Sequence, residues 1–312
     1  MPYIPTVERN AAQLGQLARY AEAGNQRLFG AGNNLGELRR GANGPVPVTE
    51  PRMAAALAQI KDAQSLLGTA FDMADTLPAK SLAVKHVRDG EKGLADVFRM
   101  IGTAPSLDPA ALADALPTYA FQEAHLAANH DQRLIAEGLA SLATDSPTGA
   151  LPKSIPSSRI KRLSKGLDAF AEGASVANRQ FATAGKISGD ALERLRAEHP
   201  NTPEVIVERY LLDSWGVSAL ARDGLRTLGA ATDDRQLPPG SDVTQAPGKV
   251  SDALEPLRQH PTDGVDEGRV SLDSVVSGLG NASHLAAVMK HEAKHEKHAL
   301  ALVDLYGRRT RS

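Results

Sequence analysis

The residues of this chain best suited to chemistry are histidines gathered near position 290. His291-Glu292-Ala293-Lys294-His295 places two imidazoles one helical turn apart with a carboxylate between them. Imidazoles at that spacing can share a divalent ion, and a neighbouring carboxylate can take a proton from metal-bound water. His284 and His298 extend the set. At 100° per residue the four histidines fall within an arc of about 60° on a helix. Glu292 is therefore the candidate catalytic base. His284, His291, His295 and His298 are the candidate ligands, with zinc the cofactor they would hold. The chain has 312 residues and no cysteine, which excludes thiolate ligands, a cysteine nucleophile and a disulfide framework. The histidine stripe is thus the place where composition leaves most room for catalysis.

The five-residue segment resembles the H-E-x-x-H motif of zinc peptidases. That resemblance implies a zinc-dependent hydrolase in which His291 and His295 hold the metal and Glu292 activates water. In that family the positions flanking the motif are usually uncharged, whereas here Lys290, Lys294 and Lys297 surround it. One straight helix cannot easily wrap three ligands tetrahedrally round one ion, and the nearby carboxylate that follows is Asp304. Leu285, Val288, Met289, Glu292, Ala299, Val303 and Tyr306 lie mostly on an apolar side, the lysines on the opposite side, and the histidines along the border between them. Amphipathic rings commonly sit at such a border, so the residue pattern favours a solvated helix edge over a metal centre.

The elements that must position these residues are helical. Alanine takes 50 positions and aromatic residues 4%, and runs of alternating β-branched residues are almost absent. Gly- and Pro-rich linkers fall at 41–52, 103–109, 144–158, 199–203, 232–249 and 260–268. Between them Met53, Leu57, Ile60, Gln64, Leu67, Phe71 and Ala74 alternate by four and three, a helix stripe. Val87, Leu94, Val97, Phe98 and Ile101 share a second face. A helix after Pro117 carries Leu126, Leu139 and Leu142. Ile160, Leu163, Leu167, Phe170, Ala174, Ala177 and Phe181 repeat the alternation. Residues 204–230 hold Val205, Ile206, Leu211, Leu212, Trp215, Leu220, Leu225 and Leu228, with Trp215 a core anchor. The reading is an all-α bundle or array of about eight to ten helices in two packed regions. Residues 1–50, with glycines among asparagines, form a partly mobile N-terminal segment; 51–143 an N-terminal bundle; and 159–312 a C-terminal region.

A second pattern recurs. Gly185-Lys186-Ile187-Ser188-Gly189-Asp190-Ala191-Leu192 and Gly268-Arg269-Val270-Ser271-Leu272-Asp273-Ser274-Val275 both read G-[KR]-[IV]-S-x-D-x-[LV]. This is similar to the second half of an EF-hand loop, but alanine, valine and serine occupy the ligand positions. Ser188 and Ser271 are better read as helix N-caps, with Ile187 and Val270 free to pair as a short bridge. Degenerate turns of this type among alanine-rich helices resemble effector and translocon-type proteins of bacterial type III secretion. The resemblance implies an exported virulence protein that acts by binding other proteins.

Charge and hydropathy narrow the partners. A formal net charge of −2 gives no overall basic excess, so no nucleic-acid partner is expected. Arg159, Lys161, Arg162 and Lys165 read as the solvated face of a helix, and Arg308, Arg309 and Arg311 form a basic tail without interleaved aromatics. No apolar run reaches 18 residues, and the first residues lack the charged-then-apolar order of a signal peptide. The expected location is cytoplasmic, or secreted without a cleavable signal. The sequence thus points to a non-enzymatic protein that binds a protein partner through an amphipathic helix face. A zinc hydrolase and a structural virion protein are the alternatives.

Overall fold

The computed structural model describes residues 1–41, 44–198, 215–232, 236–258 and 272–308. The chain is all-α. Its helices are α1 (Ile4–Gly41), α2 (Pro51–Thr76), α3 (Leu82–Ile101), α4 (Pro109–Ala115), α5 (Thr118–Thr144), α6 (Ser157–Glu198), α7 (Trp215–Ala231), α8 (Ala246–Ala253), α9 (Glu255–Arg258) and α10 (Leu272–Gly307). Two-residue strands β1 (Val46–Pro47) and β2 (Ser106–Leu107) pair antiparallel. Among the described residues no helix is long and apolar enough to cross a membrane.

One rule builds the long helices: buried residues recur at alternating spacings of three and four, which turns a continuous seam toward neighbouring helices. In α1 the seam is Val7, Asn10, Leu14, Leu17, Ala21, Gly24, Leu28, Ala31 and Leu35. In α2 it is Met53, Ala56, Ile60, Ala63, Leu67, Ala70 and Ala74. The expected stripe for α2 named Leu57, Gln64 and Phe71. The structure instead buries Ala56, Ala63 and Ala70, and leaves Gln64 exposed with Leu57 and Phe71 at the margin. Small residues win the seam because they let two helix axes approach closely, while the larger side chains cover the flanks.

The same effect explains α1. Its glycines and asparagines suggested a weak segment, yet residues 4–41 form one helix. Gly24 lies directly against the Leu67 side chain, where a Cβ would collide. Asn34 Nδ2 donates to Gln59 Oε1 at 3.0 Å, and Glu37 pairs with Arg52. These contacts run up α1 and down α2, so the two are an antiparallel pair.

The chain separates into two compact units. Unit 1 comprises Met1–Ala136, Lys153–Ile155 and Leu302–Ser312, and unit 2 comprises Glu137–Pro152 and Pro156–Ala301. The non-helical stretch between Thr144 and Ser157 lies within the expected 144–158 linker, while the chain passes from one unit to the other inside α5 and inside α10.

In unit 1, Leu28, Met53, Ile60, Leu67, Leu94, Val97, Leu112 and Phe121 belong to one core cluster. Phe71 stands 6.2 Å from Phe121, ring centre to ring centre. In unit 2 the seam of α6 runs Ile160, Leu163, Leu167, Phe170, Ala174, Ala177, Phe181, Ala184 and Ser188. It packs on α7, whose buried residues include Val217, Ala221 and Leu228; Gly173 lies against Ala231 and Phe181 against Gly224, so the two helices run antiparallel.

Two expectations are corrected here. Residues 185–192 are not a loop: they lie inside α6, whose seam continues unbroken through Ala184 and Ser188. Ser188 is buried, and its Oγ donates to the Ala184 carbonyl at 2.9 Å, so it is an interior helix residue and not an N-cap. Ile187 is helical and 40% exposed. The partner stretch Gly268–Ser271 lies outside the described residues, as do 204–214 and the side chain of Trp215. The 232–249 linker also contains structure, a 3-10 turn at Asp242–Gln245 and the start of α8. Ser188→Ala is therefore expected to change stability by less than about 1 kcal/mol, because a hydroxyl bonded to its own helix adds little. Loss of a true N-cap would cost about 0.5–2 kcal/mol, and thermal unfolding separates the two.

Candidate functional site

The histidine stripe lies on α10 within unit 2, and the elements beside it decide what each side chain faces. One buried seam of α10 runs Leu272, Val275, Leu279, Ala282, Ala286, Met289, Ala293, Leu300 and Val303, with Ala299, Leu302 and Tyr306 buried beside it toward the helix end. Steps of three and four connect the seam residues once Glu296 is counted between Ala293 and Leu300. Glu296 thus holds a seam position that elsewhere on this helix is apolar. The Ser141 hydroxyl of α5 donates to Glu296 Oε1 at 2.6 Å.

On the opposite flank α6 and α10 run antiparallel through a row of polar contacts. Lys297 Nζ meets Asp168 at 2.6 Å, Lys290 Nζ meets Ser175 Oγ at 3.1 Å, and Ser283 Oγ meets Asn178 Oδ1 at 2.5 Å. Arg196 meets Asp273 at 2.8 Å beyond them. The seven-residue steps from Lys297 to Lys290 to Ser283 are two turns each. They explain the lysines beside the histidines: Lys290 and Lys297 serve helix pairing.

The histidines are arranged unevenly. His284, His291 and His298 are exposed. His295 is half-buried, with Nε2 at 2.6 Å from Glu137 Oε2 of α5. Glu292 turns inward: its Oε2 is buried and accepts no hydrogen bond. Burial raises the Glu296 carboxyl above the usual carboxylate range, the Ser141 hydrogen bond opposes the rise, and the charge of Glu292 adds to it. Among the described residues no three His, Cys, Asp or Glu side chains gather so as to hold a metal ion. The arrangement brings together His295 with Glu137, and Glu296 with Glu292 and Ser141. What the geometry shows is one carboxyl, Glu296, held in a packed seam by a serine hydroxyl, and one imidazole, His295, hydrogen-bonded to a carboxylate of the neighbouring helix.

Two surface features lie elsewhere, both in unit 1. Gln64 and Phe71 of α2, with Glu91, Leu94, Ala95, Phe98 and Arg99 of α3, line a shallow groove. On α5 the buried stripe is Phe121, Ala124, Ala128, Asp131 and Ile135. Tyr119 and Leu126, two turns apart, stand on the opposite side at 71% and 51% exposure. Leu126 is one of the apolar residues that the sequence assigns to this helix. It falls outside because the small residues Ala124 and Ala128 take the seam. Exposed apolar residues two turns apart are the signal that sequence reading missed, since any apolar residue on a helix reads first as core.

Arg159 belongs to structure as well, with Nε at 2.6 Å from Asp145 Oδ2. Lys161, Arg162 and Lys165 are exposed, as expected of a solvated face. Arg309 and Arg311 lie outside the described residues. No family model, curated protein or solved structure matches this chain.

Proposed function

We propose that this chain is a non-enzymatic helical protein-interaction protein of the kind bacteria export, an effector or translocation-associated protein. The observation that carries the reading is the outward face of α5. Tyr119 and Leu126 stay exposed on a helix whose buried stripe already serves unit 1. Two large apolar side chains two turns apart on a solvent face suit a helix-to-helix contact with another protein. The bacterial and export parts of the reading rest on the sequence resemblance to type III secretion proteins.

Photo-crosslinking residues at positions 119 and 126 of the full chain provide the test. A partner is expected to be trapped from these sites. After purification, that partner should bind the chain at least about tenfold less tightly when Tyr119→Asp and Leu126→Asp are combined, a loss of about 1.4 kcal/mol. Helicity should not change. Equal binding by the double variant would overturn the assignment of this face. Export is tested separately: a reporter fused to the chain should leave cells that have a type III apparatus and stay inside cells without one.

A further inference from the structure

In unit 1, buried polar groups converge on one residue. Among the described residues the buried polar side chains of unit 1 are Asn10 of α1, Ser81 at the N-cap of α3, and Asp131 of α5. All three bond Tyr306, in the last turn of α10. Asn10 Nδ2 donates to the Tyr306 carbonyl at 2.7 Å. Tyr306 Oη lies 2.6 Å from Ser81 Oγ and 2.7 Å from Asp131 Oδ2. A carboxylate only accepts, so the tyrosine hydroxyl donates to Asp131. Tyr306 is 0% exposed, and burial followed by the Asp131 charge raises its hydroxyl well above the ordinary tyrosine range. The backbone closes the arrangement. Tyr3 N–H donates to the Gly307 carbonyl at 3.0 Å. A Cβ on Gly307 would stand 2.6 Å from Pro2 Cβ, so a larger residue does not fit there.

Asn10 and Asp131 each occupy a seam position in a series otherwise made of apolar or small residues. An apolar side chain at position 306 would strip the buried Asp131 Oδ2 of its hydroxyl donor and leave Ser81 Oγ with only the Val84 N–H of its own cap, a loss that a buried carboxylate tolerates poorly. The socket therefore closes on a helix end that brings a tyrosine hydroxyl and an open carbonyl. We propose that Leu302–Gly307 is a latch: unit 1 is closed when Tyr306 is seated, and unseating it opens α1, α3 and the first part of α5 together while unit 2 keeps its structure. The device gives the protein a second conformation, with unit 1 loosened, reached by releasing one short segment.

Hydrogen exchange of the full chain, followed by mass spectrometry, tests this. In Tyr306→Phe, which keeps the ring and removes the hydroxyl, residues 4–41, 82–101 and 118–136 should exchange about tenfold faster. Residues 157–198, 215–231 and 272–301 should stay within about twofold of wild type. Adding Asp131→Asn removes the stranded carboxylate and should restore much of the lost protection, which a loss of ring packing would not. If Tyr306→Phe does not fold, Ser81→Ala is the milder variant and should show the same pattern at smaller size. Unchanged exchange, or equal acceleration in both units, would overturn the latch.

Discussion

Replacing Glu296 by leucine is expected to stabilise the protein by about 1–4 kcal/mol, seen as a higher urea midpoint at an unchanged m-value. Glu296 sits in the α10 seam between Ala293 and Leu300. Leucine is what the pattern asks for there, and it removes a carboxyl taken largely out of water. The loss is one hydrogen bond from Ser141, whose net worth is about 0.5–1.5 kcal/mol. The gain is desolvation avoided and repulsion from Glu292 relieved. The pH dependence has a definite sign. The folded-state carboxyl is raised from its ordinary value of 4.5, so just above that pH the folded chain binds more protons than the unfolded chain. Stability contributed by Glu296 is complete below 4.5 and falls as pH rises through the folded value. Glu296→Gln keeps the shape and abolishes the titration. Its stability relative to wild type should therefore increase with pH above 4.5, in urea titrations run at several pH values. Parallel wild-type and glutamine profiles would contradict the buried carboxyl.

The helical class and the seam of α6 were legible because large apolar residues mark them: Ile160, Leu163, Phe170 and Phe181 stand at the expected spacings. The seams of α1 and α2 were harder to see. There the buried positions include Gly24, Ala56, Ala63 and Ala70, residues that carry almost no hydropathy signal yet permit a short approach between axes. Hydropathy ranked Phe71 and Leu57 above them and placed the face half a step away. The glycine at position 185 misled in the opposite direction. Glycine followed by a serine and an aspartate reads as a turn, but Phe181, Ala184 and Ser188 continue the α6 seam, and packing overrides the local preference.

Although His284, His291 and His298 stand exposed and not at a border, the histidine segment was found from sequence as a helical stripe. The roles of its neighbours were not. Lys290 and Lys297 looked like solvated charges until α6 supplied Ser175 and Asp168 across an antiparallel contact. Glu296 carried no motif at all. Its meaning comes from its position in a seam that runs from Leu272 to Val303. Tyr306 read as a plain apolar residue, because Asn10, Ser81 and Asp131 lie 175 to 296 residues away along the chain and only the fold brings them to it.

Phe181→Ala is expected to cost about 3–5 kcal/mol, a large part of the roughly 5–15 kcal/mol that holds a domain folded. Phe181 is 0% exposed in the α6 seam, and a Cβ at Gly224 of α7 would stand 2.6 Å from its ring. The glycine is therefore the space into which the ring fits. Gly224→Ala alone should also destabilise, by about 1–3 kcal/mol, because the added methyl overpacks the contact, even though alanine is the better helix former. The two changes should not add. With the ring removed, the methyl at 224 enters vacated room, its clash disappears, and its helix propensity of about 1 kcal/mol over glycine is recovered. The double variant is expected to be more stable than Phe181→Ala by about that amount, so that one substitution reverses sign in the background of the other. A urea denaturation cycle over the four proteins measures this directly. A sum of the two single costs would mean that Phe181 and Gly224 do not share a contact, and that the antiparallel packing of α6 on α7 is held by other residues.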